Sequence, residues 1–155
     1  MQVSEHVSLF EATKSDTAIK NGIDNNPDPT QLESMKLIAT KVFEPVRAFF
    51  GKAIGITSFF RSLLLNARIG GASSSQHCKG EAMDLDGDIY GLISNASIFN
   101  YIKDNLDFDQ LIWEFGTDEE PDWVHVSYRK LGNRKQILKS VHNKKTGKTD
   151  YIQYS

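Results

Sequence analysis

From Leu32 to Phe49, apolar residues return every three or four positions (Leu32, Met35, Ile38, Val42, Val46, Phe49), a spacing that predicts one amphipathic helix with its apolar face on the core. Thr30 and Glu33 stand at capping-box spacing at its start. Pro45 predicts a kink near Lys41, whose carbonyl would lose its hydrogen bond. Ahead of this helix, residues 1–29 are polar, with short helical pieces at Leu9–Ala12 and Ser15–Lys20 before a turn-rich Asn21–Pro29. Behind it, Ala53–Phe59 reads as a strand, and Arg61 leads into a short helix through Asn66. Gly70–Ser75 reads as a flexible loop and Ala82–Asp86 as a strand. Asn95 is expected to cap a helix that buries Ile98, Ile102 and Leu106. Gln110–Phe115 and Trp123–Arg129 predict an antiparallel pair across an acidic loop, and Lys135–His142 with Thr149–Tyr154 a terminal hairpin. Helices early and strands late indicate an α+β domain, expected to be a single one over residues 1–155.

The hydrophobic fraction of 39% and charged fraction of 25% suit a soluble globular protein with a core of its own. The net charge of -2 hides an uneven distribution. Residues 81–122 carry twelve carboxylates against one base, Lys103, whereas residues 123–149 carry eight Lys or Arg and no acid. Such blocks form either two solvated faces of opposite sign or a basic strip for an anionic polymer. The single cysteine, Cys78, rules out an internal disulfide and suits a reducing compartment. Its neighbours on an extended backbone would point the other way, which favours a buried thiol over a metal ligand. No apolar run approaches the roughly 20 residues of a membrane span. The start, Met1 to His6, lacks the basic-then-apolar pattern of a signal sequence. Synthesis in the cytoplasm is expected.

The chemistry concentrates in two segments. Ser75-Gln76-His77-Cys78-Lys79-Gly80-Glu81-Ala82-Met83-Asp84 holds an imidazole and a carboxylate seven residues later; Asp122-Trp123-Val124-His125 adds a carboxylate and a second imidazole. His77, Asp84 and His125 are a donor set for one zinc ion with a position left open. Zinc acidifies a water at such a site while a nearby carboxylate collects the proton. Gly80 and Ala82 would let the backbone approach the metal closely. Asp122, at the mouth of the strand bearing His125, is the expected base; Glu114, on the neighbouring strand, is the rival. Asp84-x-Asp86-Gly87-Asp88 hints at a calcium loop, but Asn95 stands where the twelfth-position Glu would be. His6 and His142 lie outside both segments.

Ser75-x-His77-x-x-Gly80-x-Ala82-x-Asp84 followed by Asp122-x-x-His125 resembles the zinc D-Ala-D-Ala carboxypeptidase family, over roughly Glu5 to Tyr128. The similarity is greatest to its small single-domain phage and prophage branch, related to L-alanyl-D-glutamate endolysins and vancomycin-resistance dipeptidases. Ser15-Asp16-Thr17-Ala18, Val42–Arg47, Ile56-Thr57-Ser58, Arg61-Ser62 and Asn66 match as well. The resemblance implies a hedgehog/DD-peptidase-like fold: a small antiparallel sheet packed by helices, with one zinc on the sheet. It implies zinc ligands His77, Asp84 and His125, Asp122 as base, and Arg61 as the group that steadies the substrate carbonyl. Ser75 would support the ligand loop or the substrate end, with Trp123 and Glu114 near the substrate. Many relatives carry Gly-Tyr where this chain has Phe59-Phe60, and residues 129–155 match nothing in the pattern.

The expectation is a zinc metallopeptidase cutting peptidoglycan stem peptides, of the endolysin type, monomeric, released to the wall by a separate pore protein. Neither nucleic acid nor membrane insertion is expected. An intracellular D-Ala-D-Ala dipeptidase and a non-catalytic zinc-stabilised wall-binding module are the alternatives. The zinc residues alone do not select the scissile bond.

Overall fold

The computed structural model describes residues 1–155. Two short strands, β1 (Gln2–Ser4) and β2 (Val7–Ser8), pair with each other, and two short helices follow, α1 (Leu9–Thr13) and α2 (Asp16–Asn21). Ser8 and Ser15 cap these helices by accepting backbone N–H groups that have no partner within the first turn.

The long amphipathic segment starts two residues earlier than Thr30. Asp28 is its cap, Pro29 occupies the first turn, and Gln31 completes the capping box with Asp28 (2.7 and 2.8 Å) in place of the Thr30–Glu33 pair. Proline suits that position because its missing N–H would be unpaired there anyway. Helix α3 (Pro29–Ile38) then passes through a π-helical turn, Ala39–Phe43, into α4 (Glu44–Phe50). The disturbance expected from Pro45 takes the form of this wider turn, in which the Glu44 N–H reaches back to the Ala39 carbonyl. The turn places Glu44 against the β1–β2 hairpin, where its carboxylate accepts from Ser4 Oγ, the His6 N–H and His6 Nδ1. Met35, Ile38, Val42 and Val46 are fully buried. Phe49 is 63% exposed instead, stacked on Tyr101 with ring centroids 4.2 Å apart.

Strand β3 (Gly55–Ser58) is followed by α5 (Leu63–Arg68), capped by Ser62, and by a 3-10 turn, Gln76–Lys79. Strand β4 (Ala82–Asp86) leads through the loop around Gly87 to α6 (Asn95–Asn105), and strands β5 (Gln110–Glu114), β6 (Trp123–Ser127), β7 (Gln136–His142) and β8 (Thr149–Gln153) complete the chain. The main sheet is larger than the small antiparallel one anticipated: six strands in the order β3-β4-β6-β5-β7-β8, with β7 parallel to β5. The terminal hairpin thus extends the sheet. A parallel partner requires residues 128–135 to cross back to the start of β5. Asp109, fully buried there, anchors the crossing by accepting Arg134 Nε and Nη2 (2.9 and 2.7 Å) and the Arg134 N–H (3.1 Å). Lys139 on β7 likewise pairs with Asp118 in the acidic loop. Part of the basic strip is therefore held by the acidic stretch before it, with opposite charges meeting inside one chain.

Alternation along the strands separates two faces. Met83, Leu85, Leu111, Trp113, Val124 and Val126 point into a core shared with Ile98, Phe99 and Ile102 of α6. The residues between them form the opposite face.

Ser94, rather than Asn95, caps α6. Asn95 is completely buried one position later and ties three segments together. Its Oδ1 accepts the Gly87 N–H (2.7 Å), while its Nδ2 donates to Asp86 Oδ1 (3.1 Å) and the Asp122 carbonyl (3.0 Å). Replacing Asn95 with Ala leaves a buried donor and acceptor unpaired. It should cost about 2–4 kcal/mol of unfolding free energy in urea titrations, since each such group costs roughly 1–3 kcal/mol; a loss below about 0.5 kcal/mol would contradict this reading.

Candidate metal centre and active site

The face of the sheet opposite the core carries two transverse rows of side chains. Register places Ser58 beside Asp84, Asp84 beside His125, His125 beside Ile112 and Ile112 beside Leu138. The next row runs Trp123, Glu114, Ser140 and Tyr151. Side chains paired across strands stand about 5 Å apart, so both rows converge on one place.

His77 reaches the first row from the 3-10 turn. Three contacts hold that turn in place. Ser75 Oγ accepts the His77 N–H (3.3 Å), Gln31 Nε2 donates to the Cys78 carbonyl (3.1 Å), and Gln76 Nε2 donates to Asp109 (3.0 Å). Gly80 ends it at φ 71°, where a Cβ would lie 2.5 Å from the Gln31 carbonyl oxygen. The glycine is thus required by close approach to α3, not to a metal as anticipated. His77 Nδ1–H donates to the Phe59 carbonyl (2.7 Å), which fixes the tautomer and presents Nε2.

Asp84 is the hub. Its Oδ1 lies 3.4 Å from His77 Nε2 and 2.9 Å from His125 Nδ1, and its Oδ2 lies 4.0 Å from Arg61 Nη2. Tetrahedral zinc ligands about 2.0–2.1 Å from the ion stand roughly 3.3 Å from one another, so the spacing of this donor set suits the metal. One donor atom from each of the three residues lies within 4.8 Å of the others. Burial works against charge on Asp84, but both imidazoles outweigh it and hold the carboxyl well below the usual carboxylate range. Burial pushes His77 down despite the attraction of Asp84. Neutral imidazole and ionised carboxylate are the forms a metal binds. Cys78 is buried outside this group, its thiol raised by burial, as a structural thiol should be.

A cavity of about 790 Å³ covers the site, and Arg61 forms its boundary with a second of about 600 Å³ over β3. Arg61 is oriented by Asn66, whose Oδ1 accepts from Nη1 (3.2 Å) while its Nδ2 holds the Ala72 carbonyl (2.9 Å). The Arg61 Nε–H is buried without a partner. The guanidinium lines the cavity with its Nη2 4.0 Å from Asp84 Oδ2, a position that suits an oxygen brought by a substrate.

The two carboxylates considered as bases differ in position. Asp122 lies three residues before His125, just ahead of β6. Asp122 is exposed and does not line the cavity; its backbone, not its carboxylate, is engaged, with its N–H on the Glu114 carbonyl (2.8 Å) and its carbonyl on Asn95. Glu114 is only 6% exposed, lines the cavity, and shares the face of His125 because it pairs directly with Trp123. Burial raises its carboxyl above the ordinary value, with hydrogen bonding from Ser140 and the His125 charge partly offsetting the shift. A buried carboxylate raised in this way and facing the donor set has the properties a general base needs. Behind it, Phe115 and Gly116 take φ of 53° and 71° and turn the chain off β5. Trp123 lines the cavity against Phe115, ring centroids 5.5 Å apart, and Ser75 supports the ligand turn from the cavity wall.

Sequence reasoning missed Leu138 and Tyr151, which the terminal hairpin brings to the same cavity, and Ser140, which it buries against Glu114. Nothing local signals them, because β7 reaches β5 only through a crossing of the chain. A second possible donor cluster, Glu5, His6 and Glu44, is largely exposed, and the hydrogen bonds of the β1–β2 hairpin account for it.

No curated protein matches the chain. A family model described as Peptidase M15 matches residues 5–127, which hold His77, Asp84, His125, Arg61 and Glu114. On that match, over a site whose donors suit zinc, the chain belongs to the M15 peptidases, zinc-dependent metallopeptidases of the D-Ala-D-Ala carboxypeptidase type.

Proposed function

We propose that this protein is a zinc-dependent hydrolase of peptidoglycan stem peptides, of the endolysin type, with Glu114 as its general base. The observation that carries this reading is Glu114 itself: a buried carboxylate on the cavity face, one row from the Asp84–His125 pair. A metal site that served structure alone would need no such group. His77, Asp84 and His125 would hold the ion. Zinc, when bound, supplies a Lewis acid that acidifies a water and polarises a carbonyl.

The chain's own residues do the remainder. Glu114 takes the proton of the attacking water and returns it to the leaving amine, a transfer favoured by its raised pKa. Arg61 donates to the carbonyl oxygen as negative charge grows there. Asn66 keeps the guanidinium aimed, and Phe59 keeps His77 in the correct tautomer. The cavities on either side of Arg61 leave room for chain on both sides of a scissile bond. This favours a wall-borne peptide over a free dipeptide. No helix is long and apolar enough to cross a membrane, and delivery to the wall would fall to a partner pore protein.

Digestion of purified peptidoglycan, read by mass spectrometry, should give new peptide termini. Chelation should abolish them and added zinc restore them; intact wall after incubation with zinc-loaded protein would refute the reading and leave the dipeptidase or binding module. Asp84→Asn should lower zinc content well below one per chain by plasma emission spectrometry.

Glu114→Gln should keep zinc and reduce kcat by roughly 10²–10⁴-fold, the usual worth of a general base, whereas Asp122→Ala should stay within about twofold of the parent. The reverse ranking would return the base to Asp122. Because the Glu114 carboxyl is raised and must be ionised to act, kcat/KM should fall on acidification from a midpoint above the roughly 4.3 of an ordinary glutamate.

A further inference from the structure

We infer that Ser140, on the terminal hairpin, is a positioning residue for catalysis: its hydroxyl holds the Glu114 carboxylate in place for proton transfer. The inference rests on Glu114 being the base. Residues 136–153 lie beyond the stretch matched by the family model.

The geometry follows from register. The parallel pairing of β5 and β7 sets Ser140 directly beside Glu114, and the antiparallel pairing of β7 and β8 sets Tyr151 on its other side. Ser140 is fully buried. Its Oγ lies 3.2 Å from the Phe115 N–H and 2.5 Å from Glu114 Oε2. A hydroxyl has one proton and two lone pairs. The lone pair takes the Phe115 N–H, so the proton is directed at the carboxylate. Oε2 is thereby engaged and Oε1 is left for proton transfer. The bond also fixes the last torsion of a side chain that would otherwise rotate broadly.

A purely structural role is poorly supported. The Phe115 N–H also has the Ser140 carbonyl at 3.2 Å, so losing the hydroxyl leaves the strand pairing intact. The group left without its partner is Glu114. Bonding from a neutral donor favours the ionised carboxylate, and its removal should move the base toward its protonated form.

The test is Ser140→Ala in the full-length zinc-loaded protein, assayed on soluble wall peptides identified in the digestion. We expect kcat to fall about tenfold with KM within twofold, zinc content unchanged, and the acidic limb of kcat/KM displaced to higher pH. In a Glu114→Gln background the same change should cost nothing further, because the proton acceptor it serves is gone. Ser140→Thr and Ser140→Val match each other in shape and differ in the hydroxyl. Thr should exceed Val severalfold, which keeps the test decisive if the alanine variant folds poorly. Parental kcat in Ser140→Ala, an equal loss in the Glu114→Gln background, or equal rates for Thr and Val would overturn the inference. Parental activity of Glu114→Gln would instead remove the base assignment on which it stands.

Discussion

The buried charge of Asp84 is the constraint around which the site is built. An ionised carboxylate away from water costs several kcal/mol unless opposite charge and hydrogen bonds surround it. Here the compensation comes from three places far apart in the chain: His77 from a 3-10 turn, His125 from the adjacent strand and Arg61 from the end of β3. Each of these is braced in turn by the Phe59 carbonyl, by strand register or by Asn66. A divalent cation is the natural completion of such a cluster, because it meets the carboxylate charge and uses the imidazoles in their neutral form.

Strand geometry decides which carboxylate shares a face with that cluster. Side chains an odd number of residues apart on one strand face opposite ways, whereas directly paired residues on adjacent strands face the same way. Glu114 gains its place through Trp123, its cross-strand partner, although eleven residues separate it from His125. Asp122, much nearer in sequence, serves instead as a backbone anchor between β5 and Asn95. The loop joining the two strands is thus a structural tie at one end, while the strand before it ends in the buried Glu114.

The terminal hairpin makes the same point at longer range. By running parallel to β5, β7 delivers Ser140 to Glu114. The crossing that allows this is held by Asp109, which joins Arg134 of the incoming chain to Gln76 of the ligand turn. One buried acid therefore links the hairpin to the metal centre, and the separated blocks of acidic and basic residues have a use in assembling the cavity.

By itself the sequence indicated the helices and the strands of the main sheet, and it singled out His77, Asp84 and His125 as a candidate donor set. Those signals are local: apolar periodicity, caps, and a His-to-Asp spacing spanning one turn and one strand. Its boundary errors, Asp28 for Thr30 and Ser94 for Asn95, came from neighbouring residues with equal capping chemistry. It did not show the mixed sheet, the exposure of Asp122, or Ser140 and Tyr151 in one row with Glu114. Only the tertiary structure decided these, because strand order and register are set by packing between segments distant in the chain. Register chooses which carboxylate, among several of equal chemistry, stands beside the metal ligands.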